Sequence, residues 1–479
     1  MKPFIRKKLP FLLIALQAVL ILGMLLYIVP GRYRLYDIVL YDASENVPAN
    51  PLTGYAPDAL REEDCAGTNL VFLTLPFSEW EPEKGVFDAE SVSEKYHLEE
   101  YRRAGKHAVL RFVCDIPGES AHADIPQWLL EETGDGVAYE DAAGKGYAPD
   151  YSNAVFQEAH REALKELAAW CRRDSFVAYV EAGSVGRNGV WDESAESAPE
   201  ISGAVRSEYL RQYEEAFPPE SGIRLLCCAK TGADMAAGSW KDALGDAAAS
   251  GNWKKEILDR EEAGEDGAET SAGLYADFPV AGGMTDTAPM EDLLMDRLSD
   301  TLEQIRDCHI SFIGPVCPDA VQQESNGSEM ILRNVGYCIY LSRLQTTVDF
   351  LDDDLLLHFT FSNIGQAPLY WDWPVRMYIY DHDGICIREQ TLDLKLSELL
   401  PDRELTVTGT VPYSKELLEG YSVGLSIVSP GGDIVTFAQK GVLPDAQGVH
   451  TIYRAKRKAK GTAAAAAAGT KNLVLFRPR

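Results

Sequence analysis

His107-Ala108-Val109-Leu110-Arg111-Phe112-Val113 is apolar from Ala108 to Val113 except for Arg111, and is closed by the turn residues Asp115-Ile116-Pro117-Gly118. Further on, Phe156 to Arg172 carries Leu164, Leu167, Ala168 and Cys171 at helical spacing, and Phe176 to Val180 is apolar again. A strand buried on both faces, a crossover helix and a second such strand make the unit of a parallel sheet. The same alternation extends both ways. Asn69 to Leu75, Ile223 to Cys228, Leu274 to Val280 and Ile310 to Ile313 read as strands. Ser91 to Ala104, Ser207 to Phe217, Met290 to Ile305 and Glu329 to Leu344 read as helices. Six or seven such units over some 270 residues fit a (β/α)8 barrel in size. An open doubly wound sheet is the alternative, but no Gly-x-Gly-x-x-Gly turn follows an early strand.

From about Thr346 the period changes from helical to alternating. Leu355 to Phe361, Val375 to Tyr380, Leu405 to Val411 and Val423 to Val428 are short strands. Asp381-His382-Asp383-Gly384 and Pro430-Gly431-Gly432-Asp433 are turns between them. That spacing predicts an antiparallel β-sandwich. The expected organisation is a basic head and anchor (1–34), a barrel (35–345), a sandwich (346–450) and a basic, alanine-rich tail without apolar period (451–479).

The anchor is read from Phe11 to Val29, 19 residues without a charge after Lys2, Arg6, Lys7 and Lys8. As a helix this run spans ~28 Å, the thickness of a bilayer core. The positive head predicts a cytoplasmic N-terminus and an extracytoplasmic body held by a single pass through the cell membrane. The alternatives are a buried helix, which would show a polar face, and a cleaved signal peptide. Tyr27-Ile28-Val29-Pro30 puts large residues where a cleavage site wants small ones.

Of the 45 basic residues, six lie in 1–34 and eight in 454–479, leaving 31 between 35 and 453 against all 74 acidic ones, a net of −43. Such a surface repels nucleic acid and anionic lipid and suits a neutral or cationic ligand. The nine cysteines form no Cys-x-x-Cys pair and no zinc-ligand spacing, so neither a metal site nor a disulfide framework is expected, nor is any cofactor. No Ser-His-Asp arrangement, phosphate-binding loop or His-Glu-x-x-His helix occurs.

The chemistry-bearing residues cluster after the strands. Ser78-Glu79-Trp80-Glu81-Pro82 follows the first. A carboxylate and an aromatic at a strand's C-terminal end stand where barrel sites form, and sugars stack on aromatics and bond to carboxylates. Trp80 and Glu81 are therefore candidate substrate-binding residues, or simply parts of a turn. Arg111 and Asp115 flank the end of the next strand and would bind ligand or pair with each other. Trp191 would be a sugar platform or a cap on the core.

Trp80-Glu81-Pro82 with Gly85 and Phe87, Gly105 to Arg111, and Ile125-Pro126-Gln127-Trp128-Leu129 resemble the early barrel of retaining glycoside hydrolases related to family 42 β-galactosidases. Asn50-Pro51-Leu52-Thr53-Gly54-Tyr55, Tyr147-Ala148-Pro149-Asp150-Tyr151, Gly183-Ser184-Val185-Gly186, Gly336-Tyr337 and Asn363 to Tyr370 are similar to a glycosidase-like family, domain of unknown function 4832. The resemblance spans residues 48 to 450 and implies a barrel and sandwich that engage carbohydrate. It also implies an acid after the Gly-Ser-x-Gly strand and another after a later Gly-Gly. Val190 and Met284 stand at those positions. Under the resemblance, Glu181 would replace the first acid or serve as a structural hydrogen-bonder within the barrel, and Asp277 or Asp286 would replace the second or be solvated loop acids. A retaining pair needs carboxyls ~5 Å apart and an inverting pair ~6.5–9.5 Å. The function expected is a glycosidase-like protein of weakened or lost activity. The alternatives are an active retaining glycoside hydrolase and a non-catalytic binding or envelope-structural protein.

Overall fold

The computed structural model describes Gln17 and residues 33–191, 198, 200–228, 236–262, 273–349, 351–413 and 420–455. The expected anchor and tail lie outside them, apart from Gln17, Tyr33, Arg34 and the first residues of the tail. Among the described residues, no helix is long and apolar enough to cross a membrane.

Eight parallel strands form one sheet: β1 (Gly54–Tyr55), β2 (Leu70–Pro76), β3 (His107–Val113), β4 (Val177–Ala182), β5 (Arg224–Cys227), β6 (Gly238–Trp240), β7 (Val280–Gly282) and β8 (Ile310–Ile313). β1 pairs with β8. Just past β1, the Phe72 N–H donates to Pro57 O at 2.7 Å and the Ala59 N–H to Phe72 O at 2.8 Å. That parallel bridge joins the first strand to β2 and closes the sheet into a barrel. Closure leaves no unpaired edge. It also explains why β2, β3 and β4 are apolar on both faces: one face fills the barrel, the other meets the helices.

Two barrel strands escape the sequence reading. β1 is two residues long, and β6 carries Gly238, an unpromising strand residue. Gly238 is there for close approach: a Cβ would sit 1.9 Å from Pro279 O. The run 274–280, expected as a strand, is a single helical turn at Leu274–Ala276, and the strand begins only at Val280.

The second unit is two four-stranded antiparallel sheets. One is ordered 33–40, 339–349, 354–363, 404–412, and the other 386–391, 375–380, 422–427, 450–454. Leu355, Leu357, Phe359 and Phe361 of the first and Val375, Met377, Ile379, Val423, Leu425 and Ile427 of the second are buried in one core. A Cβ on Gly409 would touch Met377 Sδ at 2.4 Å, so the two sheets meet face to face there.

Two expectations need correcting. The sequence reading continues a helix to Leu344, but the helix ends at Leu332 and a strand runs from Ile339 to Asp349. The register slips between Leu341 and Arg343. This bulge places Tyr337, Leu341, Leu344 and Val348 at spacings of four, three and four, which imitates a helical face. The second correction concerns residues 35–40, expected in the barrel. Tyr33–Leu40 is instead an edge strand of the sandwich, antiparallel to 339–349 from Tyr33↔Asp349 to Leu40↔Arg343.

The sandwich sits against the foot of the barrel, the N-terminal ends of its strands. Trp371 Nε1 donates to Gly222 O at 2.7 Å, Tyr370 Oη to Tyr275 O at 2.8 Å, and His309 Nδ1 to Gln366 O at 2.7 Å. His107 at the start of β3 meets Asp433 at 3.1 Å. The opposite end of the barrel is left open.

Candidate functional site at the barrel mouth

The C-terminal ends of the strands enclose a cavity of about 650 Å³. Its acidic lining is Asp58 after β1, Glu79 after β2, Asp242 after β6 and Asp286 after β7, with Lys95 and Arg111 as cations. Two smaller cavities, of about 230 and 280 Å³, lie at the foot and contain none of the candidate catalytic or substrate-binding residues. The mouth is where barrel folds place their sites.

Arg111 organises the floor. It lies on β3 with its guanidinium 3.8 Å from the centre of the Trp240 ring on β6. Its Nε donates to Glu181 Oε2 on β4 at 2.8 Å, and Nη2 lies 2.7 Å from the same oxygen. Nη1 reaches Asp242 Oδ2 at 3.5 Å. The other oxygen of Asp242 accepts the Gly283 N–H at 2.8 Å. A chain of charge-assisted bonds therefore crosses the mouth from β4 through β3 to the segments after β6 and β7. Gly183 makes room for it, since a Cβ there would lie 2.4 Å from Arg111 Cγ. Burial outweighs the pull of Arg111 and lifts the Glu181 carboxyl to about 7, with Asp242 adding to the rise.

The residues expected in the site divide sharply. Arg111 lines the cavity. Glu181 is wholly buried beneath it, its charge committed to Arg111 and its Oε1 unpartnered. Asp277 is not in the mouth: it is exposed, three residues ahead of β7, at the foot of the barrel. The two carboxyls proposed as a catalytic pair thus belong to opposite ends of the barrel. Asp286 does line the mouth and is exposed.

Trp80 is core, packed between Phe87 and Trp170 with Nε1 on Ala163 O at 3.0 Å. Glu81 is buried and closes its own turn, accepting the Gly85 N–H at 2.7 Å. Trp191 is fully buried, bound to Ala182 O at 2.6 Å, and caps the core. Asp115 pairs not with Arg111 but with Tyr139, whose hydroxyl donates to it at 2.6 Å; burial raises its carboxyl to about 6.

Val190 and Met284 both line the cavity. The two positions where the resemblance calls for carboxylates are thus in the mouth, filled by apolar side chains.

Glu79, Asp58 and Asp242 were missed. Glu79 is the neighbour of Trp80, and only the first helical turn after β2, Phe77–Trp80, turns it toward the mouth. There it holds Lys95 at 2.6 Å and accepts the Tyr96 hydroxyl at 3.2 Å. The signal for Asp242 was present in Trp240-Lys241-Asp242, an aromatic and an acid at a strand end, but the short strand hid it.

A polar chain outside the mouth links Ser184 Oγ to His160 Nε2 at 2.7 Å and His160 Nδ1 to Gln212 at 2.6 Å. All three are buried, and burial pulls His160 down to about 4. The chain runs on from Gln212 Nε2 to Glu208 Oε1 at 2.9 Å, but Ser184 is buried away from any substrate, so this is internal wiring rather than a nucleophile.

No family model matches the chain, and no curated protein matches it. The likeness to the family 42 relatives and to domain of unknown function 4832 therefore rests on the quoted motifs alone. Among solved structures, the chain is similar to endo-glycoceramidase II from Rhodococcus sp., at 12% identity over 78% of this chain and 100% of that one, with a TM-score of 0.39. It is also similar to a GH30 endoxylanase from Clostridium papyrosolvens, at 8% identity over 79% and 97%, with a TM-score of 0.34. A psychrophilic family 10 endo-β-1,4-xylanase matches at 15% identity over 58% and 78%, with a TM-score of 0.29. Likenesses at this level carry no weight for fold or activity, and the barrel is assigned from its own strand pairing.

Proposed function

We propose that the chain is a membrane-anchored, extracytoplasmic protein whose barrel mouth binds carbohydrate without hydrolysing it. One observation carries this reading: Val190 and Met284 occupy the mouth where a glycosidase of the resembling type needs its acid and its nucleophile. Neither side chain can transfer a proton or attack an anomeric carbon. Glu181, the nearest substitute, is sealed under Arg111 and shares its charge with it.

What remains in the mouth suits recognition. Lys95 is paired to Glu79, and Arg111 to Glu181 and Asp242. Asp58 and Asp286 have no ion-pair partner among the described residues and stand ready to accept hydrogen bonds from hydroxyls. Tyr96 is the one aromatic among the described lining residues, so recognition there rests on polar groups more than on ring stacking. The acidity disfavours uronates and phosphorylated sugars and favours neutral or amino sugars.

Val190→Trp tests the reading by filling the cavity from its wall. Full-length protein in detergent is applied to an array of neutral and amino-sugar oligosaccharides. The wild type is expected to bind members of one class, and the variant, with an unchanged melting temperature, to lose at least tenfold in affinity. Equal binding by both proteins would exclude the mouth as the binding site.

A further inference from the structure

The edge strand Tyr33–Leu40 fixes where a membrane anchor would enter the fold. Only Pro30, Gly31 and Arg32 separate Val29, the last residue of the uncharged run, from Tyr33. Extended chain covers at most about 14 Å over that interval. Tyr33 pairs with Asp349, the last residue of the strand 339–349, beside the turn that leads to Asp354. On the far side of that sheet, Asp354 pairs with Pro412. Leu351, in the turn, is exposed.

The other end of the same sheet is the end joined to the barrel. Asn363 Oδ1 accepts the Cys338 N–H at 2.9 Å, and the Gln366 and Ala367 N–H groups donate to Gly336 O at 2.8 and 3.0 Å. Strand 33–40 runs toward this end. Past it, Asn50 O accepts from Asn69 Nδ2 at 2.7 Å, at the foot of β2. The 11 residues of 339–349 span about 36 Å between the two ends.

Every sandwich contact described above is with the foot of the barrel, and the 650 Å³ cavity is at its other end. The order along the molecule is thus anchor, remote end of the sandwich, barrel foot, barrel mouth.

We propose that the sandwich is a rigid stalk that holds the barrel mouth away from the anchoring bilayer. The carbohydrate taken there is then a glycan held outside that bilayer, and not a headgroup of its lipids. The proposal rests on the anchored reading above and adds a direction to it. It differs from a flexible tether, which would let the mouth turn back to the membrane. Here the chain enters a hydrogen-bonded sheet within four residues of the uncharged run, which leaves little freedom to do so.

Energy transfer to a surface acceptor measures this directly. Full-length protein in a Cys386→Ser background, which removes the exposed thiol, carries a donor dye at Leu351→Cys or, separately, at Asp286→Cys. It is reconstituted into phosphatidylcholine vesicles bearing an acceptor on the outer headgroups. Transfer from position 351 is expected to exceed that from 286 several-fold. Equal transfer, or more from 286, overturns the stalk while leaving the anchor standing. Protein that stays out of the vesicle fraction overturns the anchored reading and the stalk with it.

Discussion

Arg111 holds two carboxylates and an indole, and the floor of the mouth depends on it. Its side chain and Glu181 are almost completely removed from water, so each charge is tolerable only while the other is present. Arg111→Met should destabilise the protein by up to about 3–5 kcal/mol, because it leaves the buried Glu181 carboxyl without its partner and forces it to take up a proton. Arg111→Met combined with Glu181→Leu should recover most of that loss, since an apolar pair of similar volume removes the need for both charges. Thermal unfolding of the two variants checks this. A double variant as unstable as the single would show that Asp242 and Trp240, not Glu181, are the partners that matter. At this scale the sequence was a partial guide. Arg111 stood out by its place near a strand's end, but the partner expected there, Asp115, is not the one it has; its partner is Glu181, on the neighbouring strand. Trp80 and Trp191 were not separable from sugar platforms, because a tryptophan after a strand has the same sequence signature whether its ring faces the mouth or the helices. The difference lies in partners remote in sequence, Ala163 and Trp170 for Trp80, which no local pattern reveals.

Among the elements, those with long apolar runs were legible. β2 to β5, β8 and four sandwich strands match the segments expected from period alone. The misses have local causes: two-to-three-residue strands, a glycine required by a close carbonyl, and a bulge that turns a two-residue period into a helical one. The contact between elements that fastens the two units is testable by pH. His107 Nδ1 lies 2.7 Å from Ser175 O and donates to it, so Nε2 faces the Asp433 carboxylate. Burial alone would lower His107, but Asp433 and the Ser175 carbonyl reverse this and raise it above its usual range. Burial likewise opposes the Asp433 charge, and its bonds to His107 and Ser429 overcome this and hold it low. A raised histidine stabilises the fold below its unfolded pKa and loses that contribution as pH rises through the folded value. A depressed aspartate contributes above its unfolded pKa and loses it as pH falls. The pair is therefore strongest between about pH 4 and 6.5. Asp433→Asn should cost about 1.5–3 kcal/mol at pH 5.5 and clearly less at pH 8.5. A penalty that is the same at both values in thermal melts would mean that the contact is not ionic.

The whole molecule reads as a barrel with a committed floor, an acidic mouth and a sandwich at its foot. Charge and size foretold a large acidic body with two units. They did not foretell that the strand after the uncharged run belongs to the sandwich, because the strand it pairs with lies some 300 residues away. We propose a mouth that binds carbohydrate but lacks the acids that hydrolysis needs. Prolonged turnover measurement tests it most directly: full-length protein in detergent is incubated with a panel of aryl glycosides and with the oligosaccharides it binds, and released aglycone and reducing ends are followed across pH 4 to 8. No release above the protein-free rate is expected, with binding retained. Steady turnover by the wild type that is abolished in Glu181→Gln would contradict it, and would make Glu181 a catalytic acid despite its burial under Arg111.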